Sequence, residues 1–155
     1  MDTNPTRTAH PEEGQRPVSN DDLANLAAGE FQQRQERANA MVRRGDMPAD
    51  IANARLRPWL AIACLLGANL PELDEGLAEL RVCQTFPGGE MGSRSEADAR
   101  TILAADICPR ATWLNALATA RDAAIRAGHA ESTATLRALG DALKLTIPYR
   151  HKEVI

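Results

Sequence analysis

The sequence has few aromatic residues and few of the side chains that most often carry chemistry. Phe, Trp and Tyr together make up 3% of the 155 residues, and there are three histidines and three cysteines. A core with so few aromatic rings is built mainly from Leu, Ile, Val, Met and Ala, and it buries less apolar area per residue. Such a domain gains more than most from surface covered by a neighbouring chain, so we expect self-association.

Cysteine and histidine are too scattered to indicate a site. Cys64, Cys83 and Cys108 are odd in number and far apart, which does not describe the disulfide framework of a small secreted domain, and no two have zinc-ligand spacing. Cys64 lies in an apolar run and is predicted to be a core residue. We expect no enzyme, no metal and no cofactor. If the protein is an enzyme after all, Cys108 is the least unsuitable nucleophile, for instance paired with His129.

Long apolar runs and a strong net charge are also missing. The formal net charge is -3 and the pI is about 5.6, so the general basic character of a nucleic-acid or anionic-membrane binder is absent. No basic start followed by an apolar run opens the chain, and no run is long enough to span a bilayer. We therefore expect no membrane contact, and a location in the cytoplasm or within a virion assembled there.

Composition divides the chain into three parts. Residues 1–18 are rich in proline and charge and almost devoid of apolar side chains, so we predict a flexible polar N-terminal arm. Residues 19–145 carry continuous helical periodicity and form a single predicted domain. Residues 146–155 form a short extended C-terminal tail with several apolar side chains.

The first two helices have clear boundary signals. The first is predicted to begin at a capping box on Ser19 and to stop at Gly45. In the second, Asp46 is the expected N-cap and Gly67 the expected stop. Pro58 removes a backbone donor midway and is expected to kink or split this helix.

The remaining helices follow the same signals. Pro71 opens a third helix, residues 85–94 form an irregular loop, Ser95 caps a fourth helix that ends before Pro109, and a fifth runs to Gly128. Leucines at helical spacing mark the last helix. The predicted fold is all-α, an irregular bundle of about five or six helices. The predicted core consists of Trp59, Leu60, Ile62, Leu65, Leu66, Leu77, Leu80, Leu103, Trp113, Leu117 and Leu139.

Acidic residues concentrate on the third helix. Glu72, Glu75 and Glu79 share one face, but no Glu-x-x-His motif accompanies them, so a solvated acidic face is favoured over a metal site. The glycines of residues 88–93 lack the lysine of a phosphate-binding loop, and they indicate a connection or a partner-contacting loop.

Arginine, by contrast, is concentrated between residues 34 and 57, a segment that contains six arginines and only three acidic residues. The molecule is therefore expected to have a basic end and an acidic end. Arginine pairs well with carboxylate or phosphate, so a head-to-tail contact between identical subunits and a nucleic-acid patch are both open, beside a simple solvated helix. The candidate interaction surface consists of Arg34, Arg37, Arg43, Arg44, Arg55, Arg57, Tyr149 and Arg150.

These features favour a non-enzymatic structural or adaptor subunit of a larger assembly, with protein partners and terminal arms that contact neighbours. Self-association into a homo-oligomer is the expected form. A small Ala-rich helical protein with an arm at each end is compatible with a bacteriophage virion component, such as a head–tail connector or capsid-associated protein. The alternative is a DNA-recognition module such as a phage small terminase or a regulator, in which the arginines contact phosphates.

Overall fold

The computed structural model describes residues 20–82, 84–85, 91–92 and 94–144. In these ranges the chain forms six helices and one short strand pair, which confirms the predicted all-α bundle. The predicted arm (1–18) and tail (146–155) lie outside the described residues. The helices are α1 (Asn20–Arg43), α2 (Ala49–Leu65), α3 (Pro71–Val82), α4 (Glu96–Ile107), α5 (Arg110–Ala127) and α6 (Ala130–Lys144).

Helix α2 is the centre of the bundle. It packs against α1, α4 and α5, while α6 packs on α5 and α1, and α3 packs on α4. This position follows from composition, because α2 is apolar on almost every side along its second half. No helix within the described ranges is both long enough and apolar enough to cross a membrane.

The core follows the prediction in part. Six of the predicted residues are buried, namely Trp59, Ile62, Leu77, Trp113, Leu117 and Leu139. The other five, Leu60, Leu65, Leu66, Leu80 and Leu103, are only partly buried and pack against that core. Even a central helix keeps an edge toward solvent, so an apolar run overestimates burial. Further core residues come from the neighbouring helices and their connections, including Phe31, Leu70, Leu73, Leu136 and Leu143.

The predicted start of α2 is wrong. Asp46 is not the N-cap, because Pro48 occupies that position with extended backbone (φ -65°, ψ 149°) and no side-chain cap. Asp46 instead helps to end α1: its backbone N–H donates to the Met41 carbonyl at 2.9 Å, and its carboxylate pairs with Arg44 at 3.0 Å. The first turn of α2 is exposed, so water can satisfy its free N–H groups in place of a side-chain cap.

Pro58 does not split α2. The helix continues from Ala49 to Leu65 with Pro58 buried inside it. The carbonyl that loses its helical partner belongs to Ala54, an exposed residue, so water can satisfy it. Burial of the proline ring offsets part of the cost of the missing hydrogen bond.

The loop predicted over residues 85–94 contains a short antiparallel ladder. Strand β1 (Gln84–Thr85) pairs with β2 (Met91–Gly92), with Gln84 opposite Gly92 and Thr85 opposite Met91. Beyond the ladder, the Arg94 N–H donates to the Arg81 carbonyl at 2.9 Å. The chain thus returns to the end of α3 before α4 begins.

Most helix boundaries agree with the sequence signals. The Ser95 hydroxyl accepts a hydrogen bond from the Asp98 N–H at 3.1 Å, as expected of an N-cap, and α4 ends before Pro109. At the end of α2, Gly67 has a φ of +91°, and Gly67 and Ala68 donate to the Cys64 and Ala63 carbonyls. This reciprocal pattern is a Schellman motif, which turns the buried Ala68 into the core.

We expect Gly67→Ala to destabilise the protein by about 1–2 kcal/mol, because a Cβ disfavours the left-handed backbone. Steric crowding does not explain such a loss, since the added Cβ meets only the Ala24 Cβ at 4.0 Å. Gly29→Ala is the matched control: it lies inside α1 with open space around its Cβ, so it should stabilise by roughly 0.5–1 kcal/mol. Urea unfolding measures both. Equal effects of the two substitutions would contradict this account.

Candidate interaction surface

Arg34 is part of the structure of the α1–α2 pair. Its guanidinium carbon lies 3.8 Å from the centre of the Trp59 ring, and its Nη2 pairs with the Glu30 carboxylate at 3.0 Å. Burial is the main cause that lowers the pKa of Arg34, although Glu30 opposes it. The side chain stays charged, and it covers the core tryptophan through a cation–π contact.

Two further arginines of the predicted surface have intramolecular partners. Arg57 Nε donates to the carbonyl of Ile107, the last residue of α4, at 2.8 Å. The last carbonyls of a helix lack partners and carry partial negative charge, so Arg57 caps α4. Arg44 pairs with Asp46 across the turn that ends α1.

Arg37, Arg43 and Arg55 are exposed, and no ion pair engages them within the described ranges. Arg37 and Arg43 lie on α1, and Arg55 lies on α2, which packs against it. We call these three arginines the basic face, although Arg37 and Arg43, six residues apart, project about 120° apart around α1. Tyr149 and Arg150, the other members of the predicted surface, lie outside the described residues.

The expected separation into a basic end and an acidic end is wrong at the start of α3. Gln35 Nε2 donates to the Glu72 carboxylate at 2.9 Å, so acidic α3 begins beside the arginine-rich segment of α1. The two regions are distant in sequence, and only the packing of α3 near α1 brings them together.

A buried arginine that the sequence analysis missed joins α2 to α4. Arg100 is only 7% exposed. Its Nη1 donates to the carbonyls of Cys64 and Ala68 at 3.1 and 2.9 Å, where α2 ends. In return, the Cys64 thiol donates to the Arg100 carbonyl at 3.3 Å. The one available signal was an arginine between the apolar positions Ala99 and Leu103, where an unpaired charge is costly.

Glu96 holds Arg100 in place and links it to α3. Its carboxylate accepts from Arg100 Nε at 2.7 Å and from Arg81 Nε and Nη2 at 2.7 and 3.0 Å. The hydrogen bonds from Arg81, and then those from Arg100, lower the pKa of Glu96 to about 2. Arg94 caps α3 in the same way that Arg57 caps α4, with Nη1 2.6 Å from the Leu80 carbonyl.

The thiols of the described residues are poor candidates for nucleophiles. Burial raises the pKa of Cys64 to about 11, and it also raises the pKa of Cys108. The pair considered from the sequence, Cys108 with His129, does not form, because the two residues flank α5, an 18-residue helix about 27 Å long. Across the described parts of the chain, no three His, Cys, Asp or Glu side chains converge as metal ligands.

An open groove of about 550 Å³ separates the outer faces of α3 and α4. Its walls are mostly apolar, and two carboxylates stand among them. Gly76 forms part of the α3 wall, and a Cβ there would lie 2.9 Å from Leu103 Cδ1, so glycine permits the close approach of the helices. Ile102 in the α4 wall is 43% exposed. The lining residues are Gly76, Glu79, Leu80, Ile102, Leu103, Ala105 and Asp106.

No protein-family model matches this chain, and no curated protein or solved structure is significantly similar to it.

We expect Arg100→Met to destabilise the protein by about 2–3 kcal/mol, because it removes the charged donor from two carbonyls at the end of α2. Arg81→Met is the matched control on the same carboxylate. Arg81 pairs with Glu96 at the surface, where solvent screens the ion pair, so its loss should destabilise the protein much less than Arg100→Met does. Urea unfolding of both variants tests this, and a larger loss for Arg81→Met would contradict the assignment of Arg100 as the central clamp.

Glu96 should make stability depend on pH in the acid range. Because its pKa is lowered from 4.5 to about 2 in the folded protein, its contribution is complete above pH of about 4.5 and disappears as the pH falls through about 2. The difference in unfolding free energy between wild type and Glu96→Gln should therefore shrink over that interval. Urea unfolding at several pH values measures it, and a constant difference would show that ionisation of Glu96 has no part.

Proposed function

We propose that this protein is a non-enzymatic structural or adaptor subunit of a larger assembly, and that it associates with copies of itself through charged surface contacts. The observation that carries the proposal is the basic face: Arg37, Arg43 and Arg55 are exposed and without ion pairs in the described residues. The other three arginines of that segment have partners inside the molecule. Three guanidinium groups on one helix pair are well suited to bind carboxylates of a partner.

An acidic partner surface exists on the same chain. Helices α3 and α4 together carry seven acidic residues against two arginines, and both arginines pair with Glu96. Contact between the basic face of one copy and the acidic helices of another is a heterologous contact, which builds rings or filaments rather than a closed dimer. The small aromatic content supports the same proposal, since the chain gains from area covered by neighbours.

A repeating contact of this kind fits a virion component, such as a head–tail connector or capsid-associated protein, and we propose this as the setting. The arm and the tail would add contacts with neighbouring copies. The chemistry of the described residues supports a non-enzymatic role, because both described thiols are buried and the most perturbed carboxylate is already held by two arginines.

DNA recognition is the second candidate, and the same basic face favours it. Arginine binds phosphate as readily as carboxylate, so the three arginines would contact the backbone of a duplex. The net charge of -3 opposes this candidate, because it repels nucleic acid at long range.

We expect Arg37→Ala/Arg43→Ala/Arg55→Ala to weaken self-association about tenfold, since three exposed pairs contribute roughly 0.5 kcal/mol each. Light scattering over a concentration series at low and moderate salt measures the effect, and added salt should weaken the wild type as well. The matched control, Arg110→Ala/Arg126→Ala/Arg137→Ala, removes three exposed arginines from α5 and α6 and should leave association unchanged.

The two candidates give different results in this experiment. A wild type that is monomeric at all concentrations contradicts self-assembly. If that monomer binds duplex DNA with a steep salt dependence, and the basic-face variant loses this binding while the control keeps it, DNA recognition replaces the proposal. Equal weakening by the two triple variants would mean that net charge acts, and not the basic face.

A further inference from the structure

We infer that the groove between α3 and α4 binds the C-terminal tail (146–155), together with the preceding Leu145, of a second copy of the chain. This inference rests on the proposed function, since it names one of the contacts through which copies associate. Glu79 and Asp106 of the groove also belong to the acidic helices proposed to meet the basic face. The variants that separate the two proposals are therefore those in the tail and at Ile102, which change neither these carboxylates nor the basic face.

The groove has the form of a peptide-binding site rather than a pocket for a small molecule. It is open along the surface, and its floor combines Leu80, Leu103 and the exposed Ile102. Glu79 and Asp106 provide a carboxylate from each helix. The lining residues extend over about one turn of each helix, which is roughly 6 Å. A site of this kind favours a short segment that is apolar and positively charged.

The tail has this composition. Leu145, Ile147 and Tyr149 alternate with Thr146 and Pro148, so an extended chain carries the three apolar side chains on one side. Two successive side chains on that side are about 6.6 Å apart, close to the length of the lined part of the groove. Proline opposes a helix at this point and favours an extended conformation.

The charges of the tail complement those of the groove. Arg150 and Lys152 follow the apolar alternation and outnumber the one acidic residue of the tail, Glu153. Their long side chains would reach Glu79 and Asp106. The N-terminal arm does not have this complementarity. Residues 1–18 contain three acidic and two basic side chains and few apolar ones. The charges and apolar side chains of the groove therefore favour the tail over the N-terminal arm as its occupant.

The position of α6 favours a tail from another copy. Helix α6, which leads into the tail, packs against α5 and α1 and makes no extensive contact with α3 or α4, the helices that line the groove. Eleven residues reach at most about 36–40 Å when fully extended. A tail that leaves one copy and enters the groove of the next forms a head-to-tail contact, like the contact proposed for the basic face.

The test uses full-length chains with reversed charges. Arg150→Glu/Lys152→Glu reverses the charge of the tail and leaves the groove unchanged. Glu79→Lys/Asp106→Lys reverses the charge of the groove and leaves the tail unchanged. Each variant alone should associate at least tenfold more weakly than wild type in light scattering. An equimolar mixture should form a dimer of one copy of each, because one intact tail and one intact groove remain. A chain with all four substitutions should regain association.

A neutral pair of substitutions checks the apolar part of the contact. Ile102→Ser removes an exposed apolar side chain from the groove, and Ile125→Ser removes a similarly exposed one, 46% accessible, from α5. Only the first should weaken association, by about tenfold. Urea unfolding checks that every variant folds, as expected at the exposed positions Glu79, Ile102, Asp106 and Ile125.

The outcomes separate this inference from the proposed function. If the wild type associates, but the charge-reversed variants associate equally well and Ile102→Ser has no effect, the inference is wrong and the proposed function stands. If each variant alone associates more weakly but their equimolar mixture forms no dimer, a contact between tail and groove is also excluded. A wild type that stays monomeric overturns both.

Discussion

The buried guanidinium of Arg100 is the interaction on which the rest of the bundle depends. Helix α2 is the hub, and the turn that follows it lies inside the molecule, where the Ala68 carbonyl needs a donor and the Cys64 carbonyl accepts a second hydrogen bond beside that from Gly67. Arg100 supplies both from α4, and Glu96 and Arg81 extend the connection to α3. Because the Cys64 thiol donates back to Arg100, the two helices are fixed in register by hydrogen bonds in both directions.

The same device recurs at two other helix ends. Arg94 caps α3 and Arg57 caps α4, so three of the helices have C-terminal carbonyls that accept from an arginine elsewhere in the chain. Negative partial charge at a helix C-terminus makes a cation favourable there. Arginines that look like a single basic surface in the sequence therefore serve two purposes, and only those without such a partner remain for contacts with other molecules.

That division is the basis of the functional proposals. The basic face and the groove between α3 and α4 are two of the surfaces on which exposed charges and apolar side chains are left for other molecules in the described residues. The basic face is positively charged and the groove is negatively charged, and the chain also contains a tail with apolar and basic side chains. Association of identical copies, head to tail, accounts for both surfaces without a second kind of partner.

The sequence by itself determined the helical class, most helix ends and the burial of Cys64, because periodicity, caps and glycine stops act within one or two turns. Ser95 and Gly67 show this local control. Asp46 ends α1 through partners only five and two residues away, Met41 and Arg44. Only the tertiary structure decided that the Pro58 ring is buried and which arginines are caps. Those outcomes depend on partners far away in sequence: Arg57 is needed at Ile107, and Arg100 at Cys64, only because the helices pack as they do.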